Sequence, residues 1–292
     1  MSTPTRTWIG NARMYSLSGA AADAWRALLS QLARRARVPL QVIEHPPPAP
    51  LAELWGRADL AAVFMCGLPF SRAEPPPQLI AAPVPEPVEF RGQPIYWSEF
   101  VVRADAAPRT LADTFGARIA FTGTESQSGF AAPLRHLQQA GDGGPLYREV
   151  IAPQVTPQGA LTAVAENRAD VAAIDAYSHL LLRRFAPELA ARVRVVARTE
   201  PRPIPPLIAS CAFEPLTQAF LAAHQDAALH PILSDLRLSR FAAVEPATYQ
   251  VLASEFRETL AHWRTHRLAL AVHPAFASLN AAPDARAGDA TV

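Results

Sequence analysis

A segment rich in hydroxyl groups, Phe121 to Gly129 (FTGTESQSG), follows a predicted strand and opens a predicted helix. The free N–H groups at a helix start, with the positive end of the helix dipole, bind anions without needing a lysine. Thr124, Ser126 and Ser128 add hydroxyl donors, and Gly129 permits a close approach of the backbone. A helix cap explains one of these hydroxyls. Three with a glycine exceed that requirement, so anion binding and capping both stand as interpretations.

Asp175 follows an apolar predicted strand, Asp170–Ile174 (DVAAI), and a predicted helix begins immediately after it. In open α/β sheets, the strand ends face the crevice in which ligands bind. A carboxylate at this position can accept hydrogen bonds from an amine or a hydroxyl of a ligand. The alternative interpretation is that Asp175 caps the helix that follows.

Aromatic residues and a cysteine occur near other strand ends. Tyr96 and Trp97 are neighbours on one predicted strand and point to opposite faces, so one can line a cleft while the other packs into a core. Core packing of both is the alternative, and Tyr15 has the same two interpretations. Cys66 and Gly67 end another strand. Cys66 is either a small buried hydrophobic residue or a nucleophile, and the sequence shows no base to activate it.

The sequence does not indicate a metal or cofactor site. His262 and His266 are spaced i, i+4 on a predicted helix, but the run between them (HWRTH) has no glutamate and no third ligand is evident. This favours surface or packing roles for both histidines. Since no Ser-His-Asp elbow, Gly-rich dinucleotide turn or Cys-pair motif occurs, we expect no cofactor.

The composition excludes several classes of function. The chain has 292 residues and a formal net charge of +1, which argues against a nucleic-acid partner. No window of about 18 uncharged apolar residues occurs, so no membrane-spanning helix is predicted. All 27 Lys+Arg residues are arginine, which excludes Schiff-base and P-loop lysines. The two cysteines, Cys66 and Cys211, cannot build a disulfide framework, although one bond between them is possible.

The N-terminal segment Met1–Arg13 lacks the succession of basic, apolar and small residues typical of a secretion signal. As written, the chain is therefore predicted to be cytoplasmic. A removed or wrongly assigned leader is the competing explanation.

The elements that position these residues alternate between strands and helices, which predicts an α/β fold with mostly parallel sheets. Ser18 can cap a helix from about Gly19 to Arg37, whose apolar stripe is Ala21, Trp25, Leu28, Leu29 and Leu32. The helix after Asp175 is predicted to span about Ala176–Phe185. A second α/β unit, residues 104–198, is inserted into the first, with crossings at 94–103 and 195–210. We therefore predict two lobes that close by a hinge. Lobe 1 covers residues 1–98 and 206–270, lobe 2 covers 99–205, and 271–292 form a flexible tail.

Several motifs, in this order, give a resemblance to the phosphate, phosphite and phosphonate substrate-binding proteins of ABC transporters. They are Met14-Tyr15, Cys66-Gly-Leu-Pro69, Tyr96-x-Ser98 with Phe100-Val-Val-Arg103, Leu111-Ala-Asp113 with Gly116, Ser126-Gln-Ser128-Gly129, Ala169-Asp-Val-Ala-Ala-Ile-Asp175 and Pro203-x-Pro205. The similarity covers about residues 8–212. It implies the type 2 periplasmic-binding-protein fold, with a cleft between two α/β lobes, each a mixed sheet flanked by helices, joined by two crossing strands.

The resemblance also implies roles for individual residues. The Ser-x-Ser-Gly turn would hold phosphonate or phosphate oxygens, Tyr96 and Ser98 would add side-chain contacts, and Asp175 would bind the remainder of the ligand. Tyr15 would close the cleft from lobe 1. The predicted ligand-binding residues are Tyr15, Cys66, Gly67, Tyr96, Trp97, Ser98, Thr124, Ser126, Gln127, Ser128, Gly129, Thr156 and Asp175.

One departure from the family concerns a Gly-Ser-His run that members often carry about 17 residues before this aspartate. The present chain has Val155-Thr156-Pro157 there. Thr156 can replace the serine, but Pro157 offers no donor in place of the histidine. A weaker anion, or a ligand held mostly by Tyr and Trp faces, is therefore an alternative to a doubly charged phosphonate.

The leading hypothesis is a non-enzymatic binding protein for a small anionic solute, with an ABC transporter permease as a possible partner. In that case the family places it in the periplasm. An enzyme on the same fold, with Asp175 and either Cys66 or Glu125 as an acid–base pair, is the second hypothesis. A sensor module that presents its closed state to a protein partner is the third.

Overall fold

Two β-sheets and a pair of short connecting strands form the framework of the molecule. A computed structural model describes residues 7–139 and 146–266. The strands are β1 (Trp8–Asn11), β2 (Leu40–Val42), β3 (Leu60–Phe64), β4 (Gln78–Pro85), β5 (Ile95–Tyr96), β6 (Ser98–Arg103), β7 (Arg118–Ala120), β8 (Glu149–Ile151), β9 (Val171–Asp175), β10 (Val193–Arg198), β11 (Arg202–Pro203), β12 (Leu207–Ala209) and β13 (Leu238–Ala242). The helices are α1 (Gly19–Arg35), α2 (Leu51–Trp55), α3 (Gly67–Arg72), α4 (Ala132–Gln138), α5 (Pro157–Ala165), α6 (Ala176–Phe185), α7 (Pro187–Ala190), α8 (Glu214–Leu221), α9 (His230–Asp235) and α10 (Ala247–His266).

The first sheet has six strands in the order β13-β4-β12-β3-β1-β2. Its strand β1 runs parallel to both neighbours, β2 and β3, so the chain leaves all three at the same edge. Helix α1 packs on this sheet through the apolar stripe predicted from the sequence (Ala21, Trp25, Leu28, Leu29 and Leu32), which is buried. The predicted cap is also present, since Ser18 Oγ accepts a hydrogen bond from Ala21 N at 3.1 Å. We call this sheet and its helices lobe 1.

The second sheet has five strands in the order β10-β6-β9-β7-β8. Strand β9 is buried along its whole length, as its apolar sequence predicts, and runs antiparallel to β6. This pairing places Asp175 directly opposite Ser98. Helix α5 packs on the same sheet through buried residues that include Leu161 and Val164. We call this sheet and its helices lobe 2.

Strands β5 and β11 form the connection between the lobes. The chain enters lobe 2 through β5 and returns through β11, and the two strands pair antiparallel with Tyr96 opposite Arg202. The single strand predicted for Pro94–Arg103 was therefore wrong, because the strand is interrupted at Trp97. Tyr96 belongs to the connecting pair, whereas Ser98 N donates to Thr199 Oγ1 at 2.9 Å and begins the strand in lobe 2.

Helix α10 contacts both lobes. Its first half packs Tyr249 and Leu252 against the lobe 1 core, and Phe256 packs into the lobe 2 core. Further along, Gln138 Nε2 of α4 donates to the backbone oxygen of Thr259 at 2.8 Å. This helix therefore closes the side of the molecule behind the connecting strands. The residue limits predicted for the two lobes stay a prediction, and the predicted tail 271–292 lies outside the described residues.

The structure also bears on the predictions about a disulfide, a membrane-spanning helix and metal ligands. Cys66 and Cys211 are both free thiols, one buried and one exposed, so the possible disulfide does not form. Within residues 7–139 and 146–266, no helix is long and apolar enough to cross a membrane. No group of three potential metal ligands occurs in that part of the chain either. His262 lies on α10, and the side chain of His266 lies outside the described part.

Candidate binding cleft

A cavity of about 970 Å³ lies between the two lobes. Lobe 1 lines it with the turn after β1, the loop after β2 and the end of β3. Lobe 2 lines it with residues 122–126, Ser128, 152–153, 155–158 and Asp175. Most of the predicted ligand-binding residues line this cavity, namely Tyr15, Cys66, Tyr96, Thr124, Ser126, Ser128, Thr156 and Asp175. Residues that are distant in the sequence therefore meet in one cleft.

The other predicted residues, Gly67, Trp97, Ser98, Gln127 and Gly129, lie behind the wall of the cavity. The Trp97 ring stacks on Phe90 with centroids 4.6 Å apart. Ser98 Oγ donates to the backbone oxygen of Ser128 at 2.7 Å, which fixes the hydroxyl-rich turn to β6. Gly67 lies under α10, where an added Cβ would be 2.6 Å from Leu252 Cδ1. The structure thus gives these residues supporting positions.

The hydroxyl-rich turn has an unusual backbone. Instead of an α-helix from Ser128, residues Gln127–Ala131 form a π-helical turn. Ser126 caps it, since its Oγ accepts a hydrogen bond from Gly129 N at 2.9 Å. Gln127 N donates to Cys66 Sγ across the cleft at 3.3 Å. Two of the N–H groups at this helix start are therefore already occupied by side chains.

Gly129 is required by packing in this turn. A Cβ at this position would lie 1.9 Å from Thr122 Oγ1 and 2.9 Å from Ser126 Oγ. No side chain fits at the first of these distances, so the glycine allows the turn to close against Thr122. The close approach of the Gly129 backbone to a ligand stays a prediction.

Two buried tyrosines, Tyr15 and Tyr96, line the cleft. Tyr15 is almost fully buried, and its hydroxyl has no hydrogen-bond partner. Burial raises the pKa of Tyr15 well above its ordinary value, and the nearby Asp175 acts in the same direction. Burial likewise raises the pKa of Tyr96, while the Ser128 hydroxyl beside it acts in the opposite direction. Both tyrosines are therefore neutral donors at any physiological pH.

Asp175 fulfils both interpretations made from the sequence. It caps α6, with Oδ1 accepting from Ser178 N at 2.7 Å, and it lines the cavity. Burial raises the pKa of Asp175 to about 6, against the effect of its hydrogen bonds with Ser178. The carboxyl group therefore changes its charge close to neutral pH.

Cys66 is not suited to nucleophilic chemistry. Burial raises the pKa of its thiol to about 11, so the thiolate is not formed at neutral pH. A nucleophilic cysteine needs the opposite shift, from a neighbouring base or cation. Its sulfur instead accepts the hydrogen bond from Gln127 N described above. The pairing of Asp175 with Cys66 as acid and base therefore has no support in the structure.

The segment Val155-Thr156-Pro157, which stands where the family often has Gly-Ser-His, forms the turn that leads into α5. Val155 has φ of 64°, in the left-handed region that suits glycine and strains a β-branched residue. Thr156 Oγ1 caps α5 by accepting from Gly159 N at 3.0 Å. Pro157 is the first residue of that helix, where the missing N–H costs nothing. The segment thus offers the hydroxyl of Thr156 to the cleft, while Pro157 offers no donor.

Residues near the first two strands were not predicted as part of the site. Arg13 and the loop from Glu44 to Pro50 line the cleft from lobe 1. The three prolines Pro46-Pro47-Pro48 indicated only a break in the sequence. The available signal was that parallel β1 and β2 end at the same sheet edge, so residues following both strands lie together.

The fold and the cleft together define a two-lobed solute-binding protein. A family model for ABC transporter, phosphonate, periplasmic substrate-binding proteins matches residues 16–249. The chain belongs to this family, whose members are substrate-binding components of transporters and not enzymes. The resemblance seen in the sequence and the non-enzymatic binding function are therefore confirmed. None of the curated proteins matches this sequence.

Solved structures share the fold at low sequence identity. A phosphonate-transporter binding protein from Pseudomonas aeruginosa has a TM-score of 0.72 at 17% identity, with 87% of this chain and 89% of that chain covered. PhnD1 from Prochlorococcus marinus, in complex with methylphosphonate, has a TM-score of 0.71 at 17% identity, covering 88% and 98%. A Xanthomonas citri protein bound to ATP has a TM-score of 0.56 at 16% identity, covering 88% and 98%. The predicted two-lobe α/β fold is confirmed.

Proposed function

We propose that the cleft binds the phosphonate or phosphate group of a small solute through hydroxyl donors from both lobes. Ser126, Ser128 and Thr156 lie on the lobe 2 side, and Tyr15 lies on the lobe 1 side. The observation that carries this proposal is the buried Tyr15 hydroxyl, which lines the cleft without a hydrogen-bond partner. A buried donor without an acceptor is costly, and an anionic ligand oxygen would supply the acceptor.

The two capping residues suit this role because capping uses only their acceptor capacity. Ser126 Oγ and Thr156 Oγ1 each accept a hydrogen bond from a backbone N–H. A hydroxyl group has one donor hydrogen in addition to its acceptor lone pairs. Each hydroxyl hydrogen can therefore point to an oxygen of the ligand while the cap is kept. In this way the neutral hydroxyl donors Ser126, Ser128, Thr156 and Tyr15 replace the hydration of the anion in a chain without lysine.

Asp175 has a second role in this proposal. Its carboxylate lies in the same cavity and is nearly neutral at slightly acidic pH. Ionised, it would accept a hydrogen bond from an amino group on the ligand. Protonated, it would donate one to a phosphonate oxygen. The structural relatives bind methylphosphonate in one case and ATP in another, so solutes of different size are compatible with this fold.

Binding is proposed to close the lobes about β5 and β11. Each lobe alone offers only some of the donors, so a ligand that bridges both stabilises the closed arrangement. A permease of an ABC transporter, the partner used by the family, would then recognise the closed form. The periplasm is the compartment that belongs with this role.

Isothermal titration with phosphate, phosphite, methylphosphonate, aminoethylphosphonate and methanesulfonate tests the proposal. We expect at least one phosphorus oxyanion to bind, and Ser126→Ala and Ser128→Ala each to weaken it by roughly tenfold to a hundredfold. Ser239→Ala is the matched control, since Ser239 lies on edge strand β13 and its hydroxyl bonds the backbone oxygen of Val84. The proposal is wrong if no oxyanion binds, or if both cleft variants bind as the wild type does.

A further inference from the structure

The charged groups that line the cleft are mostly paired. Glu44 lies 3.5 Å from Arg26, and Glu125 lies 3.8 Å from Arg72. Asp175 is held by the backbone of α6 and carries full charge only above about pH 6. Arg13 differs from the others, because no carboxylate within the described residues lies within 4 Å of it. Among the described residues that line the cleft, Arg13 is therefore a cation without a counterion.

Arg13 is also held in position. Its backbone N–H donates to Asn11 Oδ1 at 2.8 Å, and Asn11 Nδ2 donates to the backbone oxygen of Ile43 at 2.8 Å. The Arg13 guanidinium Nη1 donates to the backbone oxygen of Ala49. These contacts attach the turn after β1 to the loop after β2. A guanidinium has five N–H donors, so most of those of Arg13 remain available.

The surroundings of Arg13 favour an anion from outside the protein. Half-burial of the guanidinium lowers its pKa, and no protein carboxylate acts in the opposite direction. Trp25 lines the same cavity from lobe 1, and its buried indole N–H has no hydrogen-bond partner. A buried donor and a cation that both lack a partner of opposite character in the protein are complementary to a ligand group rich in negatively charged oxygens.

The cavity is also larger than one phosphonate group requires. At about 30 Å³ for each water-sized group, the phosphorus and oxygens of a phosphonate fill on the order of 100 Å³. The cleft has about 970 Å³ and extends from the hydroxyl-rich turn of lobe 2 to the loop at Glu44–Pro50 in lobe 1. A substituent on the phosphonate therefore has room to reach the wall that carries Arg13.

We propose that the natural ligand is an organophosphonate or organophosphate with a second anionic group, and that Arg13 binds this second group. The proposal rests on the proposed function, since it assigns the first anionic group to the hydroxyls around Ser126 and Ser128. Arg13 is then the residue that selects among solutes that share a phosphonate. The planar fork of a guanidinium suits two oxygens of a carboxylate or a second phosphoryl group.

Titration calorimetry on matched ligands tests this assignment. The probes are phosphonoacetate, 3-phosphonopropionate and 4-phosphonobutyrate, each compared with the alkylphosphonate of the same chain length that lacks the carboxylate. For the wild type we expect one chain length at which the carboxylate increases affinity at least tenfold. In Arg13→Gln this preference should fall to within twofold of unity, while the alkylphosphonate keeps its affinity.

Two further variants serve as controls for this experiment. Arg57→Gln is the matched control in lobe 1, because Arg57 is exposed, pairs with Asp59 at 2.7 Å and does not line the cleft, and it should keep the preference. Arg13→Lys retains the charge and should keep part of it, and circular dichroism shows whether each variant is folded. The inference is overturned if the alkylphosphonates bind but the wild type has no preference for any carboxylate, or if folded Arg13→Gln keeps the preference. Absence of binding by every phosphonate would instead count against the proposed function.

Discussion

Two buried carboxylates on adjacent strands of lobe 2 have opposite environments. Glu99 on β6 and Asp175 on β9 are 3% and 4% exposed, respectively. His179 Nδ1 donates to Glu99 Oε2 at 2.6 Å, and Arg198 lies 3.1 Å from Oε1. Asp175 has the backbone N–H of Ser178 and no cation within 4 Å among the described residues. Burial is similar at the two positions, so the partners make the difference.

The partners change the pKa values in opposite directions. Burial alone would raise the pKa of Glu99, but the hydrogen bond from His179 and the charge of Arg198 outweigh it, so the pKa is lowered. Burial dominates at Asp175 and raises its pKa to about 6. Glu99 is therefore a structural anion with all its partners inside the protein. Asp175 lacks such partners on the side that faces the cleft, which is where a ligand would supply them.

The largest effect is expected from removing the charge of Glu99. Glu99→Gln leaves His179 and the nearby Arg198 without the buried carboxylate that pairs with them. Breaking a buried ion pair by removing one partner costs about 3 kcal/mol of unfolding free energy. Urea unfolding at pH 7 measures the change, with Glu89→Gln on the surface as control. A loss of unfolding free energy below about 1 kcal/mol would show that Glu99 does not form a stabilising ion pair with His179 and Arg198.

Removing the charge of Asp175 should instead increase the free energy of unfolding. The folded pKa of about 6 lies above the unfolded value near 3.8, so the ionised form is disfavoured in the folded state. The cost is absent below about pH 4 and complete above about pH 6. Two pKa units correspond to roughly 3 kcal/mol. About a third of this cost is already present at pH 4.5, so ligand-free Asp175→Asn should gain about 2 kcal/mol more in unfolding free energy at pH 8 than at pH 4.5.

Asparagine caps helices about as well as aspartate, so the cap of α6 should survive this substitution. Urea midpoints at the two pH values, for wild type and variant, give the difference directly. A difference that does not depend on pH would mean that Asp175 is not the titrating group.

The charge of Asp175 should also change the affinity for the ligand, by roughly tenfold. For methylphosphonate, the ionised Asp175 repels the ligand, so Asp175→Asn should bind more tightly than wild type at pH 8 and equally at pH 5. The ratio of the two affinities removes the titration of the ligand itself, since both proteins meet the same ligand. For aminoethylphosphonate the order at pH 8 should reverse, because the carboxylate accepts a hydrogen bond from the ammonium. Titration calorimetry at both pH values checks this, and equal ratios for the two ligands would contradict it.

Local signals made much of the fold predictable. Ser18 and the apolar stripe of α1 lie within one helical segment, and α6 begins and ends at Ala176 and Phe185, as its sequence predicts. The run Val171–Ile174 (VAAI) before Asp175 is apolar throughout, which is typical of a buried strand. Strand β13 and helix α9 were not predicted, because the alternation of Leu238–Ala242 (LSRFA) is short and irregular.

The site was less accessible to sequence reasoning where contacts are distant. Glu99 and His179 are separated by 80 positions, and nothing in either local sequence indicates their pairing. The same holds for Arg13 and Ala49, which meet only because β1 and β2 are neighbours in the sheet. The hydroxyl-rich turn was found because its hydroxyls and glycine are consecutive. Its π-helical backbone, set by Thr122 packing against Gly129, was not.

The smallest effect is expected at the edge of the Glu99 cluster. Arg183 lies 4.0 Å from Glu99 Oε2, and its side chain is 53% exposed. Exposed ion pairs contribute little, because solvent screens the charges and the long side chain loses entropy when it is held. Arg183→Gln should therefore change the unfolding free energy by less than about 0.5 kcal/mol, whereas Arg198→Gln, at 3.1 Å, should cost more. Urea midpoints at low and high salt measure both variants. A larger loss for Arg183→Gln than for Arg198→Gln would show that Arg183, and not Arg198, is the main partner of Glu99.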